Sequence, residues 1–261
     1  MLSKLGFEKP PTVDLAGLGE VYSAWGRRVP FDNVRKLVWL REGIPGPLPG
    51  DDAADFFEAW LEHGTGGTCW AGNGALHVLL VSLGFRARRG VGTMMVRENA
   101  LPNHGTVAVE IDGRDWLVDA SILFDEPMPV EAGARVDDPA WGVTLRDVDG
   151  KLRIAWRAFH SESFDCRIEH LAASQDEFRE RHEATRGWGP FNYALSARLN
   201  EGRRVIGASF GQRAETDPEG KVTVRPFSGD ERVAFLVENL GISEEMAHRL
   251  PPDQEMPPPP R

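Results

Sequence analysis

Apolar side chains recur every three to four residues through the first third of the chain. Residues 14–42 show this spacing, interrupted by Pro30, and predict amphipathic helix. Residues 51–64 begin with acidic residues and end at a glycine, which is typical of a short capped helix. Another apolar stripe starts at Cys69 and stops at Gly84. The first third is therefore predicted to be helical.

Beyond this helical third, the spacing of apolar residues changes from three or four to two, as in β-strands. Residues 106–122 alternate on both sides of Asp112-Gly113, a pair that favours a tight turn between two antiparallel strands. Residues 144–156 repeat the same plan. The middle of the chain is therefore predicted to consist of β-hairpins.

The last third mixes both spacings. Residues 174–188 and 228–249 favour helices, whereas 204–213 and 221–227 favour strands that pair through a turn at 217–220. The whole pattern predicts an α+β fold. The expected segments are a helical bundle over 1–86, a β domain over 87–170, an α/β region over 171–250 and a disordered proline-rich tail over 251–261.

The composition narrows the class of protein. Of the 261 residues, 41% are hydrophobic and 27% charged, which is ordinary for a globular protein. The formal net charge of -10 argues against nucleic-acid and membrane partners. No signal peptide or membrane-spanning run is evident. The two cysteines, Cys69 and Cys166, form neither a disulfide framework nor a zinc-binding spacing. We therefore expect a cytoplasmic protein without a metal.

Cys69 stands in an unusual stretch, "GTGGTCWAGNGAL" at residues 64–76. A cysteine at the start of a helix lies near the positive end of the helix dipole, which favours the thiolate. Backbone N–H groups of a glycine-rich turn are also suited to hold an oxyanion. The other interpretation is a small, buried apolar residue, the usual fate of a lone cysteine. This stretch alone leaves both open.

A thiol nucleophile needs a base, and the base needs an acid that orients it. His104 stands at the entry of the first strand of the predicted 106–122 hairpin, and Asp119 ends the partner strand, so the two are expected to be cross-strand neighbours. Either residue alone could be an ordinary loop or turn residue. Cys166 and His63 lack comparable surroundings, and we expect structural roles for both.

The motifs around Cys69, His104 and Asp119, and their order along the chain, resemble those of the arylamine N-acetyltransferases. That family's cysteine motif is approximately Arg-Gly-Gly-x-Cys-aromatic-Glu-x-Asn, and "TGGTCWAGN" matches it at Gly66, Gly67, Cys69, Trp70 and Asn73. The family's histidine, and its aspartate fifteen residues later in "VDVGFG", align with "NH" at 103–104 and "VDASIL" at 118–123; "RVPFDN" resembles its "iPFEN". The resemblance covers nearly the whole chain.

The resemblance implies a transglutaminase-like core of cysteine-protease type, with a β-barrel-like central domain and a C-terminal α/β lid. It implies that Cys69, His104 and Asp119 form a catalytic triad that moves an acyl group from acetyl-CoA, or another acyl thioester, to an arylamine-like small-molecule amine. The expected mechanism is ping-pong through an acyl-cysteine. Phe31 and Ile122 are candidates for the substrate pocket. A third candidate, the tryptophan that follows the cysteine, is expected to pack in the core instead.

Two departures from the family pattern affect this expectation. The family's arginine and glutamate around the cysteine are Thr65 and Ala71 here, which we interpret as the loss of an ion pair and repacking of the turn. After the aspartate, two glycines and a phenylalanine become Ser121, Leu123 and Ile122. Bulkier side chains there are expected to narrow or reshape the acceptor pocket.

These departures leave three alternatives open. An amide synthase of the same family would close a macrolactam from a polyketide thioester held by a carrier protein. A transglutaminase-like thiol hydrolase would use water or a peptide amide. A non-catalytic binding protein on the same fold would have an unreactive cysteine. The residues that bind the CoA phosphates are unknown; arginines that could meet them, or form a solvated cluster, are Arg86, Arg88, Arg89 and Arg97.

Overall fold

The computed structural model describes residues 1–228 and 230–258. The helices are α1 (Leu15–Arg28), α2 (Val34–Glu42), α3 (Ala53–His63), α4 (Cys69–Ser82), α5 (Gln175–Ala184), α6 (Glu231–Ala234) and α7 (Glu244–Arg249). The strands are β1 (Phe31–Asp32), β2 (Arg86–Met94), β3 (His104–Ile111), β4 (Arg114–Val118), β5 (Met128–Pro129), β6 (Arg135–Val136), β7 (Val143–Val148), β8 (Lys151–Ala158), β9 (Ser161–Ala173), β10 (Ala197–Glu201), β11 (Arg204–Ser209), β12 (Gln212–Thr216) and β13 (Val222–Pro226).

The helical N-terminal third is confirmed, and its helix ends follow from local chemistry. The Asp14 carboxylate caps α1 by accepting a hydrogen bond from the Gly17 N–H, and Asp52 caps α3 in the same way. α3 ends at Gly64, whose φ of 70° is accessible to glycine at little cost. The starts of α1 and α3 are therefore set by capping aspartates, and the end of α3 by a glycine.

The middle of the chain forms an antiparallel sheet of eight strands in the order β5-β4-β3-β2-β9-β8-β7-β6. Both predicted hairpins are present, since Ile111 pairs with Arg114 and Val148 with Lys151. The edge strands β5 and β6 are joined by only residues 130–134. The sheet is thus nearly closed, which confirms an α+β fold with a barrel-like β region.

A second sheet joins the two ends of the chain, in the order β1-β10-β11-β12-β13. The stretch 204–213, predicted as one strand, is instead a hairpin that turns at Phe210-Gly211, and β12 is the strand that pairs with β13. Phe210 and Gly211 both have positive φ, 47° and 83°. An aromatic residue is uncommon in that conformation, so no turn was predicted there.

The C-terminal region differs from its prediction in the course of one helix. The helix expected over 228–249 is divided into α6, a π-helical turn at Phe235–Asn239 and α7, because Gly241 has a φ of 69°. The expected disordered tail has no helix or strand over 251–258. Its described part nevertheless makes hydrogen bonds to the preceding chain, including 2.8 Å from the Leu195 N–H to Asp253 Oδ1. Residues 229 and 259–261 lie outside the described residues. The domain bounds themselves stay a prediction.

The second sheet separates two hydrophobic cores. The main core fills the space between the helices and the eight-stranded sheet, and it includes Phe31. The smaller core packs α2 and α7 against Ala197 and Leu199. Because side chains alternate along a strand, Arg198 and Asn200 of β10 face the main core. In the part of the chain that the structure describes, no helix is long and apolar enough to cross a bilayer.

Candidate active site

Cys69 is the first residue of α4, and its side chain is nearly buried, since the residue is 8% exposed. The preceding glycines are required by close packing. A Cβ on Gly66 would lie 1.8 Å from the carbonyl oxygen of Pro30, and one on Gly67 would lie 2.9 Å from the Cβ of Ala71. The glycine-rich turn is therefore a tightly packed bend that places Cys69 at the helix start.

The buried carboxylate of Asp32 holds this bend against β1. Its Oδ2 accepts a hydrogen bond of 2.6 Å from the Gly66 N–H, and its Oδ1 accepts one of 2.9 Å from the Val34 N–H. Burial raises the pKa of Asp32 to about 6, although these hydrogen bonds and Arg35 oppose the change. Asp32 was noted in the sequence only as part of a matching motif, without this role.

His104 begins β3 and lies directly beside Asp119, which follows β4. The distance from His104 Nε2 to Asp119 Oδ2 is 2.8 Å, and the two residues are 1% and 0% exposed. The Cys69 thiol donates to the Asn103 carbonyl oxygen at 3.8 Å, and it lies close enough to the imidazole to contribute to raising the pKa of His104. The structure thus brings together the three residues that the sequence singled out as nucleophile, base and orienting acid.

The electrostatics of this cluster follow from the buried pair. Burial opposes a charge on His104, but the Asp119 carboxylate overcomes this and raises the histidine's pKa well above its ordinary value. Burial likewise opposes ionisation of Asp119. The imidazole and two backbone N–H groups overcome that opposition and lower the pKa of Asp119. The Asp119 carboxylate is therefore set to stabilise a proton on His104.

Asp119 is held rigidly through its second oxygen and its backbone. Its Oδ1 accepts hydrogen bonds from Ser121 N (2.9 Å), Ser121 Oγ (2.8 Å) and Ile122 N (3.0 Å). The Tyr22 hydroxyl donates to the Asp119 carbonyl oxygen at 2.9 Å and accepts from the Phe124 N–H. The carboxylate therefore has little freedom to turn away from the imidazole.

Asn73, one turn after Cys69 on α4, connects the three elements of the site. Its Nδ2 donates to the carbonyl oxygens of Cys69 and Gly105, at 3.1 and 2.6 Å. Its Oδ1 accepts from the Ala120 N–H at 2.9 Å. One amide side chain thus fixes α4, β3 and the turn after β4 relative to one another.

Cys166 is a second thiol near the same histidine. A Cβ on Gly92 would lie 2.8 Å from Cys166 Sγ and 3.6 Å from His104 Cδ2, so the thiol and the ring flank this glycine. Burial raises the pKa of Cys166 to about 12, only partly offset by His104. Cys166 is therefore a neutral thiol at physiological pH, in agreement with its predicted structural role.

Lys36 on α2 is a buried cation near Cys69 that sequence reasoning missed. Its ammonium donates to Thr185 Oγ1 at 2.7 Å. Burial lowers the pKa of Lys36 to about 8, while the negative charge of a Cys69 thiolate would raise it. A lysine within an amphipathic helix ordinarily faces solvent, so the sequence carried no signal for its burial.

The three predicted substrate residues have different surroundings. Phe31 is buried with its ring 5.2 Å from that of Phe191, edge to face. Trp70 packs in a small apolar cluster against Phe178, with ring centroids 5.1 Å apart. Ile122 is completely buried in the main core, and its backbone N–H bonds to the site aspartate. A role of these side chains in substrate binding stays a prediction.

The departures from the family motif have clear structural settings. Thr65 is buried, and its hydroxyl has no hydrogen-bond partner among residues 1–228 and 230–258. Ala71 packs so closely against Gly50 that a Cβ on that glycine would lie 2.5 Å from it. Leu123 replaces a family glycine yet keeps a φ of 55°, a left-handed conformation that favours glycine. Position 123 therefore adopts a backbone conformation that a glycine would accept at little cost.

Two of the arginines after α4 are engaged with acidic residues. Arg86 pairs with Glu110 at 3.1 Å, and Arg88 pairs with Asp115. Arg89 lies over the Phe178 ring, 5.9 Å from its centroid. These contacts favour a solvated and paired cluster. Within the described ranges, no group of three or more His, Cys, Asp or Glu side chains is arranged to hold a metal ion.

An α+β fold with a cysteine at a helix N-terminus facing a buried His–Asp pair defines a cysteine-protease-like class of proteins. A family model described as N-acetyltransferase matches residues 14–162, more than half of the chain. The chain therefore belongs to this N-acetyltransferase family, as a divergent member. It is 29% identical over 142 residues to an arylamine N-acetyltransferase of Mycolicibacterium smegmatis. That alignment spans 51% of this chain and 50% of the relative.

Solved structures extend the likeness of fold to nearly the whole chain. The arylamine N-acetyltransferase of Mycobacterium marinum, in complex with CoA, superposes with a TM-score of 0.80 at 18% identity, covering 95% of this chain and 96% of that one. The Salmonella typhimurium arylamine N-acetyltransferase superposes with a TM-score of 0.79 at 15% identity, covering 95% of both chains. At these identities the comparison establishes the fold.

Proposed function

We propose that this protein is an N-acyltransferase that moves an acyl group, acetyl in the simplest case, from a CoA thioester to a small arylamine-like amine. The observation that carries the proposal is the placement of Cys69 at the start of α4, facing a buried His104 that is 2.8 Å from Asp119. Membership of the N-acetyltransferase family and the curated arylamine N-acetyltransferase relative support the acyl-transfer chemistry.

In the first half-reaction, His104 takes the proton of the Cys69 thiol, and Asp119 stabilises the resulting imidazolium. The thiolate attacks the thioester carbonyl carbon. The bond from that carbon to the CoA sulfur then breaks, and CoA leaves as a thiol with the proton from His104. Thioester exchange of this kind is nearly balanced in energy, so it proceeds without another reactant.

In the second half-reaction, the amine attacks the carbonyl carbon of acyl-Cys69. His104 accepts a proton from the amine nitrogen, the carbon–sulfur bond to Cys69 breaks, and the amide leaves. The proton on His104 returns the free thiol. Formation of the amide, which is more stable than a thioester, makes the overall transfer favourable.

The first turn of α4 is suited to stabilise the oxyanion that each attack creates. N–H groups at a helix start have no acceptor within the helix, and the side chain of Thr68, which precedes Cys69, makes no capping hydrogen bond to them. Donors aimed at the position of a developing oxyanion lower the barrier of acyl transfer. The closely packed glycine bend keeps these donors in place.

Steady-state kinetics test the proposal. Release of CoA thiol is measured while acetyl-CoA and an arylamine such as 4-methoxyaniline are varied, with amine-free samples as the control. A ping-pong mechanism predicts parallel lines in double-reciprocal plots and amide product equal to the CoA released. CoA release that proceeds equally without amine would indicate a thiol hydrolase and contradict the proposal. A longer acyl thioester turned over far faster than acetyl-CoA would favour an amide synthase instead.

A further inference from the structure

A second buried cation, Arg198, lies on the strand next to the candidate active site. Arg198 of β10 is the direct register partner of Phe31 in β1, and Phe31 in turn bridges to Gly67, two residues before Cys69. Directly paired residues of antiparallel strands project from the same face of the sheet. Arg198 therefore shares the inner face of this sheet with Phe31, toward the main core.

The guanidinium also lies near the turn that follows Asp119. Asn200, two residues further along β10 and on the same face, donates a hydrogen bond of 2.9 Å to the Leu123 carbonyl oxygen. Residues two apart on a strand are roughly 7 Å apart, so Arg198 lies between Phe31 and this turn. Both are elements that border the candidate active site.

The charge of Arg198 is buried, and no acidic side chain among residues 1–228 and 230–258 pairs with it. The residue is 4% exposed, and its guanidinium makes one hydrogen bond, 3.3 Å from Nη1 to the Arg157 carbonyl oxygen. Its Nε and Nη2 have no partner among the described residues. Tyr22, a neighbouring ionisable group, supplies no negative charge at neutral pH, because burial and then Asp119 raise its pKa well above the ordinary value.

Packing against aromatic rings accounts for the faces of the guanidinium but not for its edge. The Trp156 and Phe159 rings lie 5.2 and 5.3 Å from the guanidinium carbon and partly compensate its charge. The Nε and Nη2 groups in the guanidinium plane remain unsatisfied, and the indole Nε1 of Trp156 also lacks a hydrogen-bond partner in the described chain. The unsatisfied groups are donors, as expected of a site for an anion.

We propose that the free edge of Arg198 binds a carboxylate carried by a small-molecule substrate of this enzyme, and so selects for anionic substrates. The inference rests on the proposed acyl transfer and names the class of substrate that the site prefers. A carboxylate suits the position because a guanidinium edge presents two parallel donors to its two oxygens. The carboxylate belongs either to the amine acceptor or to the acyl group, and the experiment separates these sources.

Binding is measured first, on the Cys69→Ala protein, so that no turnover is needed. Isothermal titration compares 4-aminobenzoate with the uncharged 4-aminobenzamide for the acceptor, and succinyl-CoA with acetyl-CoA for the donor. We expect the charged member of one pair to bind at least about tenfold more tightly. The additional substitution Arg198→Met should abolish that preference, and Arg198→Lys should keep part of it.

The matched control is Arg213→Met in β12, since the Arg213 guanidinium also lies over an aromatic ring, 4.1 Å from the centroid of Phe235. This variant should leave the charge preference unchanged. Equal binding of charged and uncharged members in both pairs, with Arg198 intact, overturns the proposal, even if Arg198→Met fails to fold. A separate experiment measures acylation of wild-type Cys69 by acetyl-CoA with intact-protein mass spectrometry. Failure of that acylation would contradict the proposed function and would not bear on the role of Arg198.

Discussion

The two cysteines of this protein both lie near one histidine, yet their surroundings differ. Cys69 begins a helix, where unpaired N–H groups favour a negative charge, and it lies near the imidazole of His104. Cys166 lies within β9, paired through its backbone with Ile154 and Met94, and burial raises its pKa to about 12. Proximity to an imidazole is therefore not sufficient to favour a thiolate. The backbone around the sulfur, a helix start for Cys69 and a strand interior for Cys166, also determines which form is favoured.

The largest expected effect is a difference in acetyl transfer between alanine substitutions of the two cysteines. Cys69→Ala removes the proposed nucleophile, so we expect acetyl transfer to fall by on the order of 10⁴-fold or more. Cys166→Ala removes a neutral thiol that does not react, and its kcat/KM should stay within about threefold of wild type. Both variants are assayed for kcat/KM, with circular dichroism as a check of folding. Similar losses in the two would contradict the distinction.

Asp119→Asn tests whether the negative charge of Asp119 stabilises a protonated His104, as the proposed mechanism requires. The amide cannot stabilise an imidazolium as a carboxylate does, so kcat/KM should fall by roughly 10²–10⁴-fold. Ser121→Ala is the matched control, because it removes only one hydrogen bond to Asp119 Oδ1 and leaves two backbone donors. It should cost no more than roughly tenfold. Retained activity in Asp119→Asn would show that Asp119 is only structural.

The turn that carries Cys69 is tested by Ala71→Glu, which restores the family residue without its arginine. Ala71 packs against Gly50 and Gly67, so the larger side chain would be overpacked and its charge buried without a partner. The free energy of unfolding should fall by about 3 kcal/mol or more. Val81→Glu, at a position of the same helix that is 48% exposed, should change it by less than about 0.5 kcal/mol. Urea titration measures both, and equal stabilities would argue against a tightly packed turn.

The smallest expected effect is a pH dependence due to Cys166. Its pKa is raised to about 12 in the folded protein, above the value in the unfolded chain. Its stabilising contribution is therefore complete below the unfolded pKa, about 8.5, and is lost as pH rises toward 12. Between pH 9 and 10.5, wild type should lose about 1.4 kcal/mol per pH unit relative to Cys166→Ala. A difference in unfolding free energy that does not vary with pH would contradict the buried, neutral thiol.

Much of this arrangement was predictable from local patterns. The stripe after Cys69, and the alternation around Asp112-Gly113, are local signals of a helix and a hairpin, and both elements are present. That hairpin also brings the residues that begin and follow its strands together, which is why His104 and Asp119 could be paired in advance.

Other features depend on contacts between distant segments and had no local signal. Lys36 is buried only because Thr185, almost 150 residues later, covers it, and Arg198 is buried only because the β8–β9 hairpin packs over it. The turn at Phe210-Gly211 was missed because a phenylalanine adopts the conformation that usually belongs to asparagine or glycine. Local sequence patterns therefore predicted the candidate catalytic residues, whereas the buried charges around them depend on tertiary packing.

Intact-protein mass spectrometry tests the central claim most directly. Wild type, Cys69→Ala and Cys166→Ala are each mixed with acetyl-CoA and with a panel of longer acyl thioesters, without any amine. The account predicts a single added acyl group on wild type and on Cys166→Ala, none on Cys69→Ala, and loss of the group when an arylamine is added. Absence of an adduct on folded wild type with every donor, or an adduct that persists in Cys69→Ala, would contradict an acyl-Cys69 mechanism.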